Sequence, residues 1–404
     1  MPTPLFASVE MAPRDPILGL NEQYAADPRP DKINLGVGVY FDDAGRVPVL
    51  DCVAAAEREL LAEPRAKNYL PIDGIAAYDR LVQQLVFGAA SDAVATGRIT
   101  TVQTLGGTGG LKLAADFVRR FGPAGGRARV LISDPSWENH RALFAQAGFE
   151  VATYPYYDAS TRGVRAAAMV AALRDAAPGT IVVLHACCHN PTGCDLTPGQ
   201  WAEVVDACRT RGLVALVDMA YQGFGEGLDE DRAAVARFAE SGLEFLVASS
   251  YSKNFSLYGE RVGALSIVCN DRDEAARVLS QLKILIRTNY SNPPTFGASL
   301  VATVLGTPAL RAQWERELGA MRERIRHVRE QLVGKLRAAG VGGDPGYIVR
   351  QKGMFSYTGL SAAQMQRLRS EFGVYGVDSG RICIAAINSG NIDRVVTAIA
   401  CVMG

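Results

Sequence analysis

The chain of 404 residues is long enough for two domains, and apolar residues make up 48% of it, which is typical of a globular protein. Its 42 basic and 42 acidic residues cancel, so no overall charge draws it to nucleic acids or membranes. The sequence shows neither a signal peptide nor an apolar run of about 18 residues, and we expect a cytoplasmic protein whose scattered cysteines are reduced.

Short, continuously apolar segments alternate with helical patterns between residues 98 and 270, as is typical of strands buried on both faces. The predicted strands are 129–133, 180–188, 213–220, 243–250 and 262–269. In the helix after the second strand, Thr197 is the predicted N-cap, Pro198 stands in the first turn and Gly212 ends the helix. The alternation predicts an α/β fold with a mostly parallel sheet. The last strand follows its predecessor too closely for a helical crossover, so we expect it to be antiparallel.

A long helix is predicted over residues 308–339. Its apolar positions recur every three or four residues: Leu310, Trp314, Leu318, Met321, Ile325, Val328, Leu332 and Leu336. Its basic residues alternate with glutamates, which predicts a solvated face and no nucleic-acid surface: Arg311, Arg316, Arg322, Arg324, Arg326 and Arg329. Beyond the glycine-rich end of this helix, an amphipathic helix at 361–372 indicates a smaller C-terminal α+β domain.

Polar residues stand where the predicted strands end. Asn190 follows the second strand, Asp218 and Tyr221 lie at the end of the third, and Lys253 follows the fourth. Ligands of open α/β sheets bind beyond the carboxyl ends of strands, so an acid and an amine are expected in one pocket. Desolvation lowers the pKa of a lysine, as a Schiff-base nucleophile requires, and an aspartate can hold a protonated pyridine nitrogen.

Two further segments offer phosphate-binding groups. Arg261, with Ser250 and Ser252, provides a charge and hydroxyls, although Glu260 is an alternative partner for the arginine. Residues 106–108 (Gly-Gly-Thr) precede a predicted helix whose free N–H groups favour an anion. Taken alone, this stretch is equally consistent with a simple turn, and it matches neither the P-loop nor the dinucleotide-binding pattern.

Each of these residues also has an ordinary structural interpretation. Lysines are normally exposed, aspartates at strand ends often cap turns, and large aromatic residues often only pack. The segment HACCH at 185–189 contains two histidines and two cysteines, which suggests zinc. It continues an apolar strand into a turn, however, and we predict no metal site there.

Motifs along nearly the whole chain resemble those of class I, fold-type I aminotransferases that depend on pyridoxal 5'-phosphate, in the aspartate and aromatic subgroup. They are KINLGVGVY, NYLPIDG, GGTGGL, DPSWENH, CCHNPTG, DMAYQGF, SYSKNFSLYGERVG, IRTNYSNPP, GMFSY and SGR. The resemblance implies a homodimer with shared active sites and a large domain (48–320) around a seven-stranded sheet. It also implies a smaller domain (15–47 and 321–404) and an N-terminal arm (1–14) that contacts the other subunit.

The resemblance assigns cofactor-binding roles. It implies that Lys253 binds the cofactor as a Schiff base and later shuttles a proton, and that Asp218 pairs with the pyridine N–H, supported by His140. Asn190 and Tyr221 are expected to hydrogen-bond the ring oxygen. The residues expected to hold the phosphate are Gly107, Thr108, Ser250, Ser252, Arg261 and, from the neighbouring subunit, Tyr69.

The same resemblance assigns substrate-binding roles. Trp137 is expected to stack on the cofactor ring. Arg381 is expected to bind the α-carboxylate of the substrate, aided by Asn190 and the Gly38 backbone. Arg287, reaching across the interface, is expected to bind the distal carboxylate of a dicarboxylic substrate.

The positions that shape the side-chain pocket in the family give a mixed indication. Four resemble an aspartate-preferring enzyme: Val39, Asn68, Thr108 and Asn292. Phe41 and Val47 are apolar, as in members that accept aromatic side chains, and an apolar pocket favours the burial of a ring. We therefore expect ping-pong transamination between aromatic amino acids, or aspartate, and 2-oxoglutarate. Aspartate aminotransferase proper is one alternative, and a lyase or decarboxylase with the same cofactor is another.

Overall fold

The computed structural model describes residues 4–12, 17–62, 66–123 and 128–403. Its helices are α1 (Leu18–Ala26), α2 (Asp51–Ala62), α3 (Ala76–Phe87), α4 (Asp92–Ala95), α5 (Gly106–Phe121), α6 (Glu138–Gln146), α7 (Ala166–Asp175), α8 (Pro198–Arg211), α9 (Leu228–Asp231), α10 (Ala233–Glu240), α11 (Arg272–Asn289), α12 (Phe296–Gly306), α13 (Pro308–Ala338), α14 (Tyr347–Arg350), α15 (Ala362–Phe372) and α16 (Ile392–Met403). Its strands are β1 (Ile33–Asn34), β2 (Ile99–Leu105), β3 (Arg129–Asp134), β4 (Glu150–Pro155), β5 (Tyr157–Asp158), β6 (Gly163–Val164), β7 (Ile181–His185), β8 (Val214–Met219), β9 (Phe245–Ser250), β10 (Val262–Val268), β11 (Phe355–Tyr357), β12 (Val374–Tyr375) and β13 (Arg381–Cys383).

A seven-stranded sheet lies at the centre, in the order β2-β10-β9-β8-β7-β3-β4. Neighbouring strands are parallel, except that β10 is antiparallel to both β9 and β2. Only residues 251–261 separate β9 from β10, which leaves no room for a crossover helix. The predicted α/β class and the antiparallel orientation of this strand are confirmed.

Helices cover both faces of the sheet. Side chains alternate along each strand, so that each face packs into its own apolar cluster. Val182 and Leu184 of β7 belong to one cluster, whereas Ile181 and Val183 belong to the other. Strands β9 and β10 are buried along their whole length. Burial on both faces explains why the sequence of these strands is continuously apolar.

Two strands of the central sheet, β2 and β4, were not predicted. The polar residues of β2 conceal it, although they are paired in the fold. Thr101 Oγ1 lies 2.8 Å from Ser266 Oγ, and Gln103 Nε2 donates to Pro294 O at 2.6 Å. Strand β4 lies at the edge of the sheet and is only partly buried, so its apolar pattern is weak. The second predicted strand is shorter than expected and ends at His185.

The long helix is confirmed as α13, and all its predicted apolar positions are buried. Gly340, with a φ of +69°, follows its end in the left-handed conformation that favours glycine. The predicted solvated face is wrong for Arg329, which is only 2% exposed. Its guanidinium donates to the carbonyl oxygens of Ile348, Gly353 and Phe355 at 2.9, 2.8 and 2.6 Å, so this arginine joins α13 to the segment that follows.

The C-terminal part of the chain contacts the N-terminal part. Strand β1 pairs in parallel with β12, and Ile33 lies opposite Val374. The helix predicted at 361–372 is confirmed as α15. The division into two domains stays a prediction, and residues 1–3 and 13–14 of the predicted arm lie outside the described residues. Among the helices described, none combines the length and the apolar character that a membrane span requires.

Candidate active site

The carboxyl ends of β2, β7, β8 and β9 and the amino end of β10 meet at one edge of the sheet. The register places His185 opposite Asp218, Asp218 opposite Ala248, and Val262 opposite Leu105. A cavity of about 400 Å³ lies at this edge. The predicted site residues that line it are Gly38, Gly107, Thr108, Trp137, Asn190, Asp218, Tyr221, Ser250, Ser252, Lys253, Arg261 and Arg381.

Lys253 lies in this cavity, with Nζ 4.7 Å from the centre of the Tyr221 ring. Burial lowers the pKa of Lys253 to about 8. The Asp218 carboxylate opposes this shift, whereas the charges of Arg261 and Arg381 add to it. A larger fraction of the amine is therefore unprotonated at neutral pH than for an exposed lysine, which favours attack on a carbonyl carbon.

Buried contacts fix the segment that carries Lys253. Trp314 Nε1 donates to Asn254 O at 2.7 Å, and Asn254 Nδ2 donates to Gln222 O at 3.2 Å. The Phe255 ring stacks on Trp314, with ring centres 4.6 Å apart. Because these groups are close-packed, the backbone at Lys253 has little freedom and the amine has a defined position.

Asp218 is 7% exposed and lies next to a buried histidine. His140 Nε2 donates to Asp218 Oδ2 at 3.0 Å, since an ionised carboxylate can only accept. In the neutral form of this tautomer, Nδ1 accepts the hydroxyl proton of Ser136 at 2.9 Å. Burial raises the pKa of Asp218, but the His140 hydrogen bond and the nearby Lys253 charge outweigh it and hold the pKa below its ordinary value. The carboxylate is therefore negative at neutral pH and suited to bind a protonated nitrogen.

The HACCH segment (185–189) does not bring its four side chains to one point. His185 lies with His140 and Asp218, whereas the two cysteines lie with Asp231. Both carboxylates are already engaged, Asp218 by His140 and Asp231 by three backbone N–H groups. Burial lowers the pKa of His185 to about 3, so its ring is neutral. The arrangement is that of a strand end followed by a turn.

Residues 106–108, which were predicted to bind an anion, lie at the start of α5. The helix begins at Gly106, so residues 106–108 form its first turn and do not precede it as predicted. Leu105, the N-cap residue, makes no side-chain hydrogen bond to the helix, and the N–H of Gly106 donates to Arg261 O at 2.9 Å. The N–H groups of Gly107 and Thr108 have no such partner in the described part of the chain and can bind an anion. A Cβ at Gly107 would lie 3.0 Å from Ser250 Cβ, and its absence keeps these N–H groups accessible from the cavity.

Arg261 lies beside this helix start. Its NH1 donates to Ser252 Oγ at 3.2 Å and to Tyr258 O at 3.1 Å. Among the residues that the structure describes, it forms no ion pair with Glu260, the alternative partner. Gly106 has a φ of +68°, and a Cβ there would lie 2.4 Å from Arg261 NH2, so glycine is what lets the guanidinium approach the helix.

Arg381 is 1% exposed and close to the cavity wall formed by Phe355. NH1 donates to Asn190 Oδ1 at 3.1 Å, NH2 donates to Gly36 O at 2.8 Å, and the guanidinium carbon lies 4.4 Å from the centre of the Phe355 ring. Nε has no hydrogen-bond partner in the described part of the chain, where we also find no carboxylate paired with this arginine. A buried, unpaired guanidinium is suited to a substrate carboxylate, which it can bind with two hydrogen bonds.

The two residues predicted to act across the subunit interface do not line the cavity. Tyr69 is 92% exposed. Arg287 is exposed near the end of α11, and its guanidinium donates to the hydroxyl of Ser291. Within one chain, neither side chain therefore contributes to the site, and their roles stay predictions.

The sequence did not identify Tyr258 and Phe355 as lining residues. The Tyr258 hydroxyl accepts the N–H of Tyr40 at 2.8 Å, which fixes the segment next to Gly38. A Cβ at Gly38 would lie 2.7 Å from the Phe355 ring. Tyr258 stands in the motif that also contains Lys253 and Arg261, whereas Phe355 stands in GMFSY, a family motif without a predicted site residue. Their position within family motifs was the only signal that could have identified them as lining residues. It was weak, because aromatic side chains more often serve in packing.

Three comparisons with known proteins all identify aminotransferases as similar to this chain. Residues 30–399 match the family "Aminotransferase class I and II". An aspartate aminotransferase of Pseudomonas aeruginosa is 58% identical, and an aromatic-amino-acid aminotransferase of Escherichia coli is 50% identical; each match covers 99% of this chain and 100% of the relative. The crystal structure of an aromatic-amino-acid aminotransferase from Burkholderia pseudomallei, covalently bound to pyridoxal phosphate, is 59% identical, with a TM-score of 0.96 over 100% of both chains. The chain therefore belongs to the aminotransferase class I and II family.

Proposed function

We propose that this chain is a pyridoxal-phosphate-dependent aminotransferase that moves amino groups between aromatic amino acids, or aspartate, and 2-oxoglutarate. The observation that carries the proposal is the desolvated amine of Lys253 near the ionised Asp218, in a cavity that also contains the unpaired Arg381. The amine, the carboxylate and the guanidinium suit an aldehyde cofactor, its ring nitrogen and an amino-acid carboxylate, respectively.

The residues of the cavity fit this cofactor. Its phosphate would be held by the start of α5 with Thr108, by Arg261 and by the hydroxyls of Ser250 and Ser252. Asp218 would hold the ring nitrogen, and Lys253 would bind the aldehyde carbon. The remaining ring contacts would come from Trp137, Asn190 and Tyr221. When bound, the cofactor supplies an electron sink that stabilises negative charge at the substrate Cα.

Proton transfer is assigned to Lys253. When it is not bonded to the cofactor, its Nζ would be a free base in the cavity that can accept the proton from the substrate Cα and return it. Tyr221 would orient the cofactor through a hydrogen bond to its ring oxygen. Burial raises the pKa of Tyr221, although Arg381 opposes this, so the hydroxyl stays protonated at neutral pH and could donate a hydrogen bond to the cofactor.

Arg381 orients the substrate. Two parallel N–H groups of its guanidinium match the two oxygens of an α-carboxylate. Asn190 and Gly36 already hold the guanidinium in position, so little side-chain entropy is lost on binding. The substrate Cα is thereby kept within reach of Lys253.

We further propose a homodimer in the cytoplasm in which each site receives Tyr69 and Arg287 from the neighbouring subunit. Exposure of both residues outside the cavity supports this arrangement. The described part of the predicted arm presents apolar side chains to solvent, as expected of a segment that contacts a partner: Leu5, Phe6, Val9 and Met11. Pairing of β1 with β12 supports a small domain formed by residues 15–47 and 321–404.

The aromatic preference rests on the apolar part of the cavity. Ile17, Leu111 and Phe355 line it, and burial of a ring against them contributes roughly 25 cal/mol per Å². Phe41 is partly buried against the core, whereas Val47 is 43% exposed, so these two positions support the preference less directly. The curated relatives carry both names, aspartate and aromatic.

The substrate preference is tested by measuring kcat/KM for aspartate, tyrosine and phenylalanine with 2-oxoglutarate. We expect tyrosine and phenylalanine to equal or exceed aspartate, because the cavity offers an apolar surface to their rings. A ratio strongly in favour of aspartate would reassign the chain as aspartate aminotransferase proper. Release of CO₂ or loss of the side chain without amino transfer would favour a lyase or decarboxylase.

Replacing Arg287 by alanine is expected to lower kcat/KM for aspartate by about 10- to 100-fold, since one charge-assisted hydrogen bond to the distal carboxylate is lost. Phenylalanine should change by less than about threefold, because its ring makes no such bond. Each amino acid is measured in a single-turnover half-reaction, so that 2-oxoglutarate does not mask the difference.

The matched control for this prediction is Arg277→Ala, which removes an exposed arginine from the same helix. It should leave both substrates unchanged. Equal losses for aspartate and phenylalanine in the Arg287 variant would remove its assignment as the distal-carboxylate residue.

A further inference from the structure

A second cavity, of about 490 Å³, lies where three segments meet. These are residues 224–226 in the loop after Tyr221, the middle of α13, and residues 349–353 before β11. None of its lining residues lines the active-site cavity. Its size lies within the range of small-molecule sites, which is roughly 300–1,000 Å³.

The lining of this cavity is strongly basic. Five cationic side chains line it: Arg322, Arg326, Arg329, Arg350 and Lys352. The carboxylates that line it are Glu226 and Glu330, and Glu323, outside the lining, pairs with Arg326 at 3.3 Å and with Arg322 at 3.6 Å, which leaves a surplus of two positive charges. Glu226 is shared between Lys352, at 3.0 Å, and Arg326. Glu330 is 65% exposed and lies 4.0 Å from His327.

Arg329 is the most deeply buried of these cations. Two of its nitrogens donate to backbone carbonyls, but Nε has no hydrogen-bond partner in the described chain. We find no carboxylate within ion-pair distance of it among the described residues. Burial lowers the pKa of Arg329 to about 10, so it still carries its charge at neutral pH. An unpaired buried charge is costly, and an anion in the cavity would offset that cost.

The nearby acids leave the other cations incompletely neutralised. Arg322 Nε is buried without a hydrogen bond, since Glu323 lies 3.6 Å away, beyond normal bonding distance. Asp231 and Asp195 lie close by, but each accepts backbone N–H groups and neither lines the cavity. The charge of Asp195 still acts on Arg329 and Lys352, so the excess of positive charge around the cavity is reduced but not removed.

We propose that this cavity binds a small oxyanion with at least two negative charges, either a phosphate group or a tricarboxylate. Planar guanidinium groups match the oxygen geometry of both, and several of them converge here. A bound anion would connect the loop after Tyr221 to the segment before Phe355, and both residues line the active site. The proposal does not depend on the amino-acid preference proposed above.

The test is calorimetric titration of the anion-free holoenzyme with pyrophosphate and, separately, with citrate. The holoenzyme is used because its cofactor occupies the phosphate position at α5. We expect saturable binding of at least one anion, with one site per chain, and the anion that binds identifies the chemical group. Chloride at matched ionic strength separates binding from charge screening.

The double variant Arg326→Gln/Arg350→Gln should weaken this binding by at least about tenfold, because two charge-assisted contacts are lost. Arg329 is left intact, since it holds three backbone carbonyls. Arg316→Gln, an exposed arginine of α13 outside the cavity, is the matched control and should bind within about twofold of wild type. Absence of saturable binding for both anions, or equal affinities in the double variant and the control, would overturn the proposal.

Discussion

Replacing Lys253 by alanine is expected to abolish both the visible or near-ultraviolet absorption of the covalently bound cofactor and measurable transamination. The variant loses the amine that binds the cofactor and the base that moves the Cα proton. Proton transfer alone is worth about 10²- to 10⁴-fold, so a loss of about 10⁴-fold or more in kcat is expected. The absorption spectrum and the turnover of purified wild type and variant give the two measurements.

The matched control is Lys112→Ala, which removes a lysine that pairs with Asp116 on the outer part of α5. It should keep the absorption band and the activity, because Lys112 does not line the cavity. A wild-type protein that transaminates without an absorption band, or a Lys253 variant that retains the band, would refute the assignment of the reactive amine.

Local sequence signals predicted the helices and the strands of the core well. At α8, Thr197 Oγ1 accepts the N–H of Gln200, and Gly212 adopts a φ of +61°. The residues at each end of this helix therefore determine where it begins and where it ends. The apolar face of α13 was likewise predicted locally, from the spacing of its apolar residues. Strand β2 was missed because its threonines and glutamine find partners on other segments, which no local pattern reveals.

For the active site, the residue pattern alone predicted only which side chains stand at strand ends, where ligands of open α/β sheets bind. This rule placed Asp218 and Lys253 together, and the family motifs supplied Arg381. The hydrogen bond from Arg381 to Asn190 joins residues 191 positions apart, and spacing alone gives no sign of it. The burial of Arg329 was missed for a related reason. Its three carbonyl partners lie in a later segment, so the alternating charges of α13 indicated only a solvated face.

Replacing Asp218 by asparagine is expected to cause the second largest loss of activity, because the side chain keeps its shape and loses its charge. The cofactor would then lack the partner that keeps its ring nitrogen protonated, and its capacity to accept electrons would fall. Removing one partner of a buried charged pair costs about 3–5 kcal/mol, which corresponds to about 10²- to 10⁴-fold in kcat/KM.

A graded series separates this electrostatic role from a structural one. Ser136→Ala removes only the hydroxyl at the far end of the Ser136–His140–Asp218 chain, and a neutral hydrogen bond is worth about tenfold at most. The Asp218 variant should also show a changed absorption spectrum of the bound cofactor, which a packing defect would not produce. If Asp218→Asn retains kcat/KM within about tenfold of wild type, the carboxylate does not act on a ring nitrogen, and the chemistry proposed for this cavity fails with it.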